Sequence, residues 1–360
     1  MSPTSGLVDV IVAVHQVERP VERAVRSVLR GAPEGTRVTV VCHGLPSSAF
    51  EQRFADVTSS QVRLIEHVDG IASPAGPFNA GLDSAQAKYV AVMGSDDLLA
   101  EGALPAWVAR AEATGANAVL ARVEHQGGGL VRTPPTRWGR RTSGLRLAKD
   151  RLAYRTAPLG LLRRSLLEEQ GLRFTPGLST GEDLAFGLRL WANGEGLHYA
   201  AADPAYIVGS DAQVRVTMSR RPISADLECC LRVVDAPWFA TLAPRDRTAV
   251  VVKLVRIHVF GAIYNRRELP SWTVQDRQDL SSTASAMLTA APAASRALSL
   301  VERQLLSAGL DAASPESELT ELSARRVRHG RWNTVATPDL RGLLSAQGPL
   351  RLMASSALMR

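Results

Sequence analysis

The chain has 360 residues, 42 Lys and Arg against 35 Asp and Glu, and a formal net charge of +7, with 45% apolar and 21% charged residues. A chain of this length buries a large core without staples, and this balance excludes disorder, a collagen-like repeat or a coiled coil as the main state. Aromatics make up 5%, so the core is expected to be built from Leu, Val and Ala.

Cys42, Cys229 and Cys230 are too few for a disulfide framework, and no Cys/His spacing matches a structural zinc site, so a reducing compartment is expected. The opening MSPTSGLVDV has neither a basic n-region nor an apolar h-region, and apolar runs such as 248–252 fall far short of a membrane span. These features predict a cytoplasmic protein.

Val8 to Val14 is a short apolar run rich in β-branched residues, the pattern of a buried parallel strand. A helical pattern through Val21, Val25, Val28 and Leu29 follows Pro20. Strands are predicted at 38–42, 62–68, 89–93 and 118–123, separated by helices at 50–57, 77–87 and around Leu104 to Ala111. This β-α-β repetition predicts an α/β domain, a mostly parallel sheet covered on both faces. From about Arg132 to Leu152 the chain reads as a basic, irregular loop, followed by helices at 163–170 and 184–191 and a strand at 198–200. After Ser219 the pattern is helical, with a break expected at Pro292, an Arg-rich tail and a small strand near Thr334 to Ala336. Two domains are therefore expected, 1–218 and a mainly helical 219–360.

Two acidic turns could carry chemistry. Gly94-Ser95-Asp96-Asp97 ends an apolar strand, where parallel α/β sheets bind ligands, and paired carboxylates suit a hard divalent cation. An Asp capping the next helix is the plainer reading. Gly181-Glu182-Asp183 precedes an amphipathic helix and offers either a capped helix start or a general base. His258 lies on an apolar helical face, so a packed core histidine is expected rather than a ligand.

Together these pieces resemble the family 2 glycosyltransferases, which have the GT-A fold. The resemblance is carried by Val10 to Gln16 with Ala24 to Leu29, by Asn79-Ala80-Gly81-Leu82, by Ala87 to Leu99, by Pro158 to Leu167, and by Gly171 to Phe174 with Gly181 to Phe186. It spans roughly residues 8–215. It implies an inverting transfer of a hexose or N-acetylhexosamine from a nucleoside diphosphate sugar to a hydroxyl of a glycan or polyol-phosphate acceptor in cell-envelope polysaccharide synthesis. Asp96, with Asp97 beside it, would hold Mn²⁺ or Mg²⁺ on the donor diphosphate. Asp183 would be the general base, with Glu182 next to it. Val14, His15, Glu18, His43, Asn79 and Ser95 would line the donor site, and Arg215 or Thr217 would touch its phosphates.

Three positions depart from the family pattern: Cys42-His43 where an acidic pair is usual, Phe78 where a basic residue is usual, and Gly94 where an Asp often opens the metal turn. They leave the nucleotide base open and reduce the metal ligands. Arg132 to Arg164 holds ten Lys or Arg against Asp150, a density that fits a phosphate-bearing acceptor, with Arg140, Arg141 and Arg155 as contacts. A solvated face or a lid over the diphosphate fits some of the same arginines. The basic tail from Leu322 is a candidate for peripheral contact at the inner face of a membrane or for a subunit contact in a homo-oligomer. Two rival readings are a nucleotidyltransferase, which lacks its usual Gly- and Arg-rich loop here, and a non-catalytic sugar-nucleotide-binding protein with a degenerate site. No nucleic-acid motif accompanies the charge.

Overall fold

A computed structural model describes residues 6–192, 194–210, 221–267 and 272–359. Among the described residues there are ten strands: β1 (Val8–Val14), β2 (Thr36–His43), β3 (Val62–His67), β4 (Tyr89–Gly94), β5 (Leu98–Leu99), β6 (Ala118–Ala121), β7 (Val123–His125), β8 (Gly160–Arg163), β9 (Leu197–Ala200) and β10 (Tyr206–Val208). The helices of the first half are α1 (Val21–Leu29), α2 (Ser48–Glu51), α3 (Ala75–Ser84), α4 (Ala103–Thr114), α5 (Arg164–Glu169) and α6 (Leu184–Ala192). Seven strands form one sheet in the order β3-β2-β1-β4-β8-β6-β9, and β5-β10-β7 form a second, small sheet.

The large sheet is parallel except at β8, which runs antiparallel to both β4 and β6. Sequence patterning predicts its parallel part and misses β8. The strand predicted at 118–123 is divided between the two sheets. Alternate residues of β1 feed two cores: Val10 and Val12 pack with Val25, Leu104 and Trp107 under α1 and α4, while Ile11 joins Val41, Val92 and Leu82 under α3. α3 approaches β1 closely, and a Cβ on Gly81 would lie 2.3 Å from Ile11 Cγ2. That contact explains the glycine of the Asn-Ala-Gly segment.

Register brings the site together. Val14 pairs with Cys42, Ala13 with Gly94 and His43 with His67. The segments that leave β1, β2, β3 and β4 therefore start side by side at the carboxyl edge, where open α/β sheets bind ligands.

The second half is helical: α7 (Ile223–Val234), α8 (Pro237–Thr241), α9 (Pro244–Lys253), a π-helical stretch Leu254–Val259, α10 (Phe260–Asn265), α11 (Val274–Ala290), α12 (Leu300–Leu310), α13 (Glu316–Arg326), α14 (Trp332–Val335), α15 (Leu340–Leu344) and α16 (Pro349–Ala357). A 3₁₀ segment, Pro292–Ala297, stands at the expected break. The small strand expected at 334–336 is instead α14 with its exit, because Thr334 bonds back to Arg331 and closes a helical turn. The hydrophobic cluster beneath α3 and α6 continues into α7, α9, α11 and α12, so the change at 219 is one of secondary structure within a continuous core.

Candidate active site

The Asp96-Asp97 turn is held from three directions. Tyr206 on β10 donates its hydroxyl to Asp97 Oδ2, the Gly209 amide donates to Asp97 Oδ1 at 2.9 Å, and the Gly94 amide donates to the Tyr206 oxygen at 3.2 Å. Burial pushes the Asp97 carboxyl up, against those bonds. Both Asp97 oxygens accept bonds that hold the turn, which leaves Asp97 less free than Asp96 to meet a cation. Asp96 is half-buried; its Oδ2 lies 3.1 Å from Arg19 Nη1, and Arg23 Nη2 donates to its carbonyl at 3.0 Å. Arg19 before α1 and Arg23 in its first turn thus both reach the Asp96 turn.

A second group stands on β2 and β3. His43 Nε2 is 2.8 Å from Asp69 Oδ1, and His67 Nε2 is 3.2 Å from Asp69 Oδ2. The His43 bond, the Ile71 amide and then His67 hold the Asp69 carboxyl down to about 2. Desolvation, Arg19 and His43 push the His15 pKa down, with Asp96 opposing. Arg19, His43 and Asp96 therefore lie close enough to His15 to act on it electrostatically as one group.

Other expected donor residues fare differently. The Val14 side chain is fully buried and Ser95 is 4% exposed, so their side chains belong to the floor, while Glu18 is exposed. Asn79 donates to the Phe174 carbonyl at 2.9 Å and accepts from the Phe174 amide at 2.8 Å. Its amide is a clamp between α3 and the segment leading to the second acidic turn, a correction to its expected donor contact. Arg215 and Thr217 lie outside the described residues.

The Gly181-Glu182-Asp183 turn rests on an aromatic stack. Phe78 lies 5.1 Å from Phe174, and Phe174 stacks 4.7 Å from Phe186 on α6. The Thr175 amide donates to the Glu182 carbonyl at 2.9 Å. Gly181 adopts φ +76°, and a Cβ there would meet Cys229 Sγ on α7 at 2.7 Å. Burial, then the neighbouring Asp183, pushes the Glu182 carboxyl up to about 7. Burial also raises Asp183, against the opposing charge of Lys253. The helical half thus acts electrostatically on the second acidic turn through Lys253.

That lysine is wholly buried and donates from Nζ to His258 Nε2 at 2.8 Å. Cys229, Cys230 and His258 place ligand atoms within 4.8 Å of one another, and Lys253 Nζ takes up one of the two imidazole nitrogens. His258 is thus a half-buried histidine partnered through Nε2.

Among the proposed acceptor arginines, Arg140 and Arg141 are exposed. Arg155 is 3% exposed and donates to the carbonyls of Thr133 and Ala121, at 2.5 and 2.8 Å. It pins the irregular segment to β6, which corrects its expected role at an acceptor surface. Sequence reasoning misses Arg19, Arg23, Asp69, Tyr206 and Lys253, each joined to the site by a contact distant in sequence or by a loop without a motif.

The model for "Glycosyl transferase family 2" matches residues 9–171. The segment covers β1 through α5 and so includes the Asp96 turn, while Glu182 and Asp183 follow it. A curated relative, the succinoglycan biosynthesis protein ExoO of Rhizobium meliloti (strain 1021), is 30% identical over 192 residues, 48% of this chain and 52% of that protein. The chain thus spans about half the length of the relative it matches. Among solved structures, S. aureus TarS 1–349 in complex with UDP-GlcNAc superposes with TM-score 0.71 at 16% identity, covering 90% of this chain and 93% of that one. A longer S. aureus TarS structure gives TM-score 0.67 at 16% identity, covering 90% and 56%. The likeness is one of fold: a GT-A sheet followed by helices.

The family commonly pairs such a site with a divalent cation. The donor set offers the Asp96 carboxylate; Asp97 is less free and Gly94 supplies no ligand. A cation held mainly by substrate phosphates needs only one or two protein carboxylates. The residues therefore fit an ion that arrives with the donor.

Proposed function

We propose that the chain is an inverting glycosyltransferase that moves a hexose or N-acetylhexosamine from a nucleoside diphosphate sugar to a hydroxyl on a glycan or polyol-phosphate acceptor. The observation that supports it best is the Asp96 turn, fixed by Tyr206 and met by Arg19, at the carboxyl edge of a family 2 segment. The relative named for succinoglycan synthesis and the fold shared with a protein solved with UDP-GlcNAc agree with this reading.

In this reading Arg19 exchanges Asp96 for the diphosphate, and the nucleoside lies toward His15 and the His43-Asp69-His67 group. Asp96 would hold the divalent cation, which supplies positive charge to the leaving diphosphate. Asp183 accepts the proton of the acceptor hydroxyl. The freed oxygen bonds to the anomeric carbon as the bond to the phosphate oxygen breaks, and the nucleoside diphosphate leaves with that electron pair. One displacement inverts the anomeric centre. Burial raises the pKa of Asp183 and makes it a stronger base, with the charge of Lys253 opposing that rise. We place the protein in the cytoplasm, in keeping with three free, buried cysteines.

Thermal unfolding with UDP-, GDP-, dTDP- and CDP-sugars, each with and without Mn²⁺, tests the proposal. A ligand that binds only the folded state raises the midpoint. One nucleotide class should raise it, more with metal, and Asp96→Ala should abolish the rise. No rise with any nucleotide sugar would favour a non-catalytic protein.

A further inference from the structure

Away from both acidic turns, the basic segment and the C-terminal helix α16 enclose a cavity of about 360 Å³ lined by Arg137, Trp138, Lys149, Arg151, Arg351 and Leu358, among others. Its charges are unevenly matched. Asp150 is fully buried and spent on Arg137, accepting from Nε at 2.7 Å and from Nη2 at 2.9 Å. Among the described residues, Lys149, Arg151 and Arg351 have no ion-pair partner. Three uncompensated cations therefore share one concave surface.

Arg151 is 2% exposed and fixed in place. It donates to the Ala346 carbonyl at 2.7 Å, to the Pro135 carbonyl at 2.8 Å and to Ser355 Oγ at 3.1 Å. Burial and the nearby Arg351 hold its guanidinium down to about 10, so it is still charged at neutral pH. Trp138 is 71% exposed and sits at φ 58°, a left-handed conformation that side chains other than glycine seldom adopt. A large aromatic ring at the mouth of a cationic cavity is costly to leave bare and apt for a ring-shaped partner.

We infer that this cavity is a second binding site, for a saccharide bearing phosphate, with Trp138 against the sugar ring and Lys149, Arg151 and Arg351 on the phosphate. Guanidinium and ammonium groups bind phosphate through charge-assisted hydrogen bonds, and a concave site of this size suits a short saccharide better than a flat surface. The site's place as a hold on the acceptor chain rests on the transferase reading; its ligand chemistry does not.

Calorimetric titration of the full chain tests it with three probes: maltotriose carrying one phosphomonoester, maltotriose, and inorganic phosphate. The phosphorylated trisaccharide should bind more tightly than either other probe, and Trp138→Ala and Lys149→Ala should each weaken it about tenfold. Both side chains are exposed, so the fold should survive, and unchanged thermal midpoints would check that. Asp96→Ala should leave this binding intact, and Trp138→Ala should leave nucleotide-sugar binding intact. Failure of nucleotide-sugar binding alone would sink the transferase reading and spare this site. Equal binding by wild type and both variants, or no preference for the phosphorylated probe, would overturn the inference. So would loss of sedimentation with phosphatidylcholine–phosphatidylglycerol vesicles in Trp138→Ala without saccharide binding, which would assign the face to a membrane.

Discussion

Glu182 changes charge closest to neutrality, because burial and then Asp183 lift its carboxyl to about 7. The transfer rate should rise with pH through that value and level off above it, because ionising Glu182 places a second negative charge beside Asp183 and strengthens it as a base. Glu182→Gln should shift that limb. The same shift has a stability consequence of opposite sign. Between about 4.5 and 7 the folded protein holds a proton that the unfolded chain releases, so stability falls as pH rises through this window. Above pH 7, Glu182→Gln should therefore be more stable than wild type, by up to about 3 kcal/mol, in urea unfolding. A variant less stable at every pH would contradict the burial argument. At this scale the acidic residues are legible in the sequence and their partners are not. Tyr206 reaches Asp97 across 109 positions. Arg19 lies in a loop with no motif, and Asp69 gains meaning from His43 and His67 on adjoining strands.

At the scale of elements, the turn before α6 is shaped by what packs behind it. Gly181→Ala would place a methyl 2.7 Å from Cys229 Sγ at a positive φ, so α7 and the turn must part. The expected loss is about 1–3 kcal/mol in stability, together with a fall in kcat larger than any change in donor affinity. Cys229→Ala should restore part of both, which a purely conformational penalty would not allow. The parallel strands were readable because each is a short apolar run between turn signals. β8 was not, because Gly160–Arg163 runs straight into the helical Arg164–Glu169, and its pairing with β4 and β6 is set by tertiary contact. The break at Pro292 was readable, since proline cannot continue a helix.

Over the whole molecule, the helical half shares a core with the sheet and is braced internally by a buried ion pair. Arg256, 3% exposed, donates to Glu302 at 2.9 and 3.0 Å and to the carbonyls of Gln347 and Ala297. Removing one partner of such a pair strands a buried charge, so Arg256→Met should cost about 3–5 kcal/mol. The continuous core predicts one cooperative unfolding transition for wild type; two separated transitions would show that the halves fold independently. The helical run Pro244–Asn265 is long and apolar enough to cross a membrane, yet 67% of its most apolar window is buried inside this core. The most direct test of the central claim compares wild type with Asp183→Asn, using the nucleotide sugar that binds and a hydroxyl acceptor. Donor affinity should be unchanged while kcat falls by about 10²–10⁴-fold. Undiminished turnover in Asp183→Asn would contradict the account.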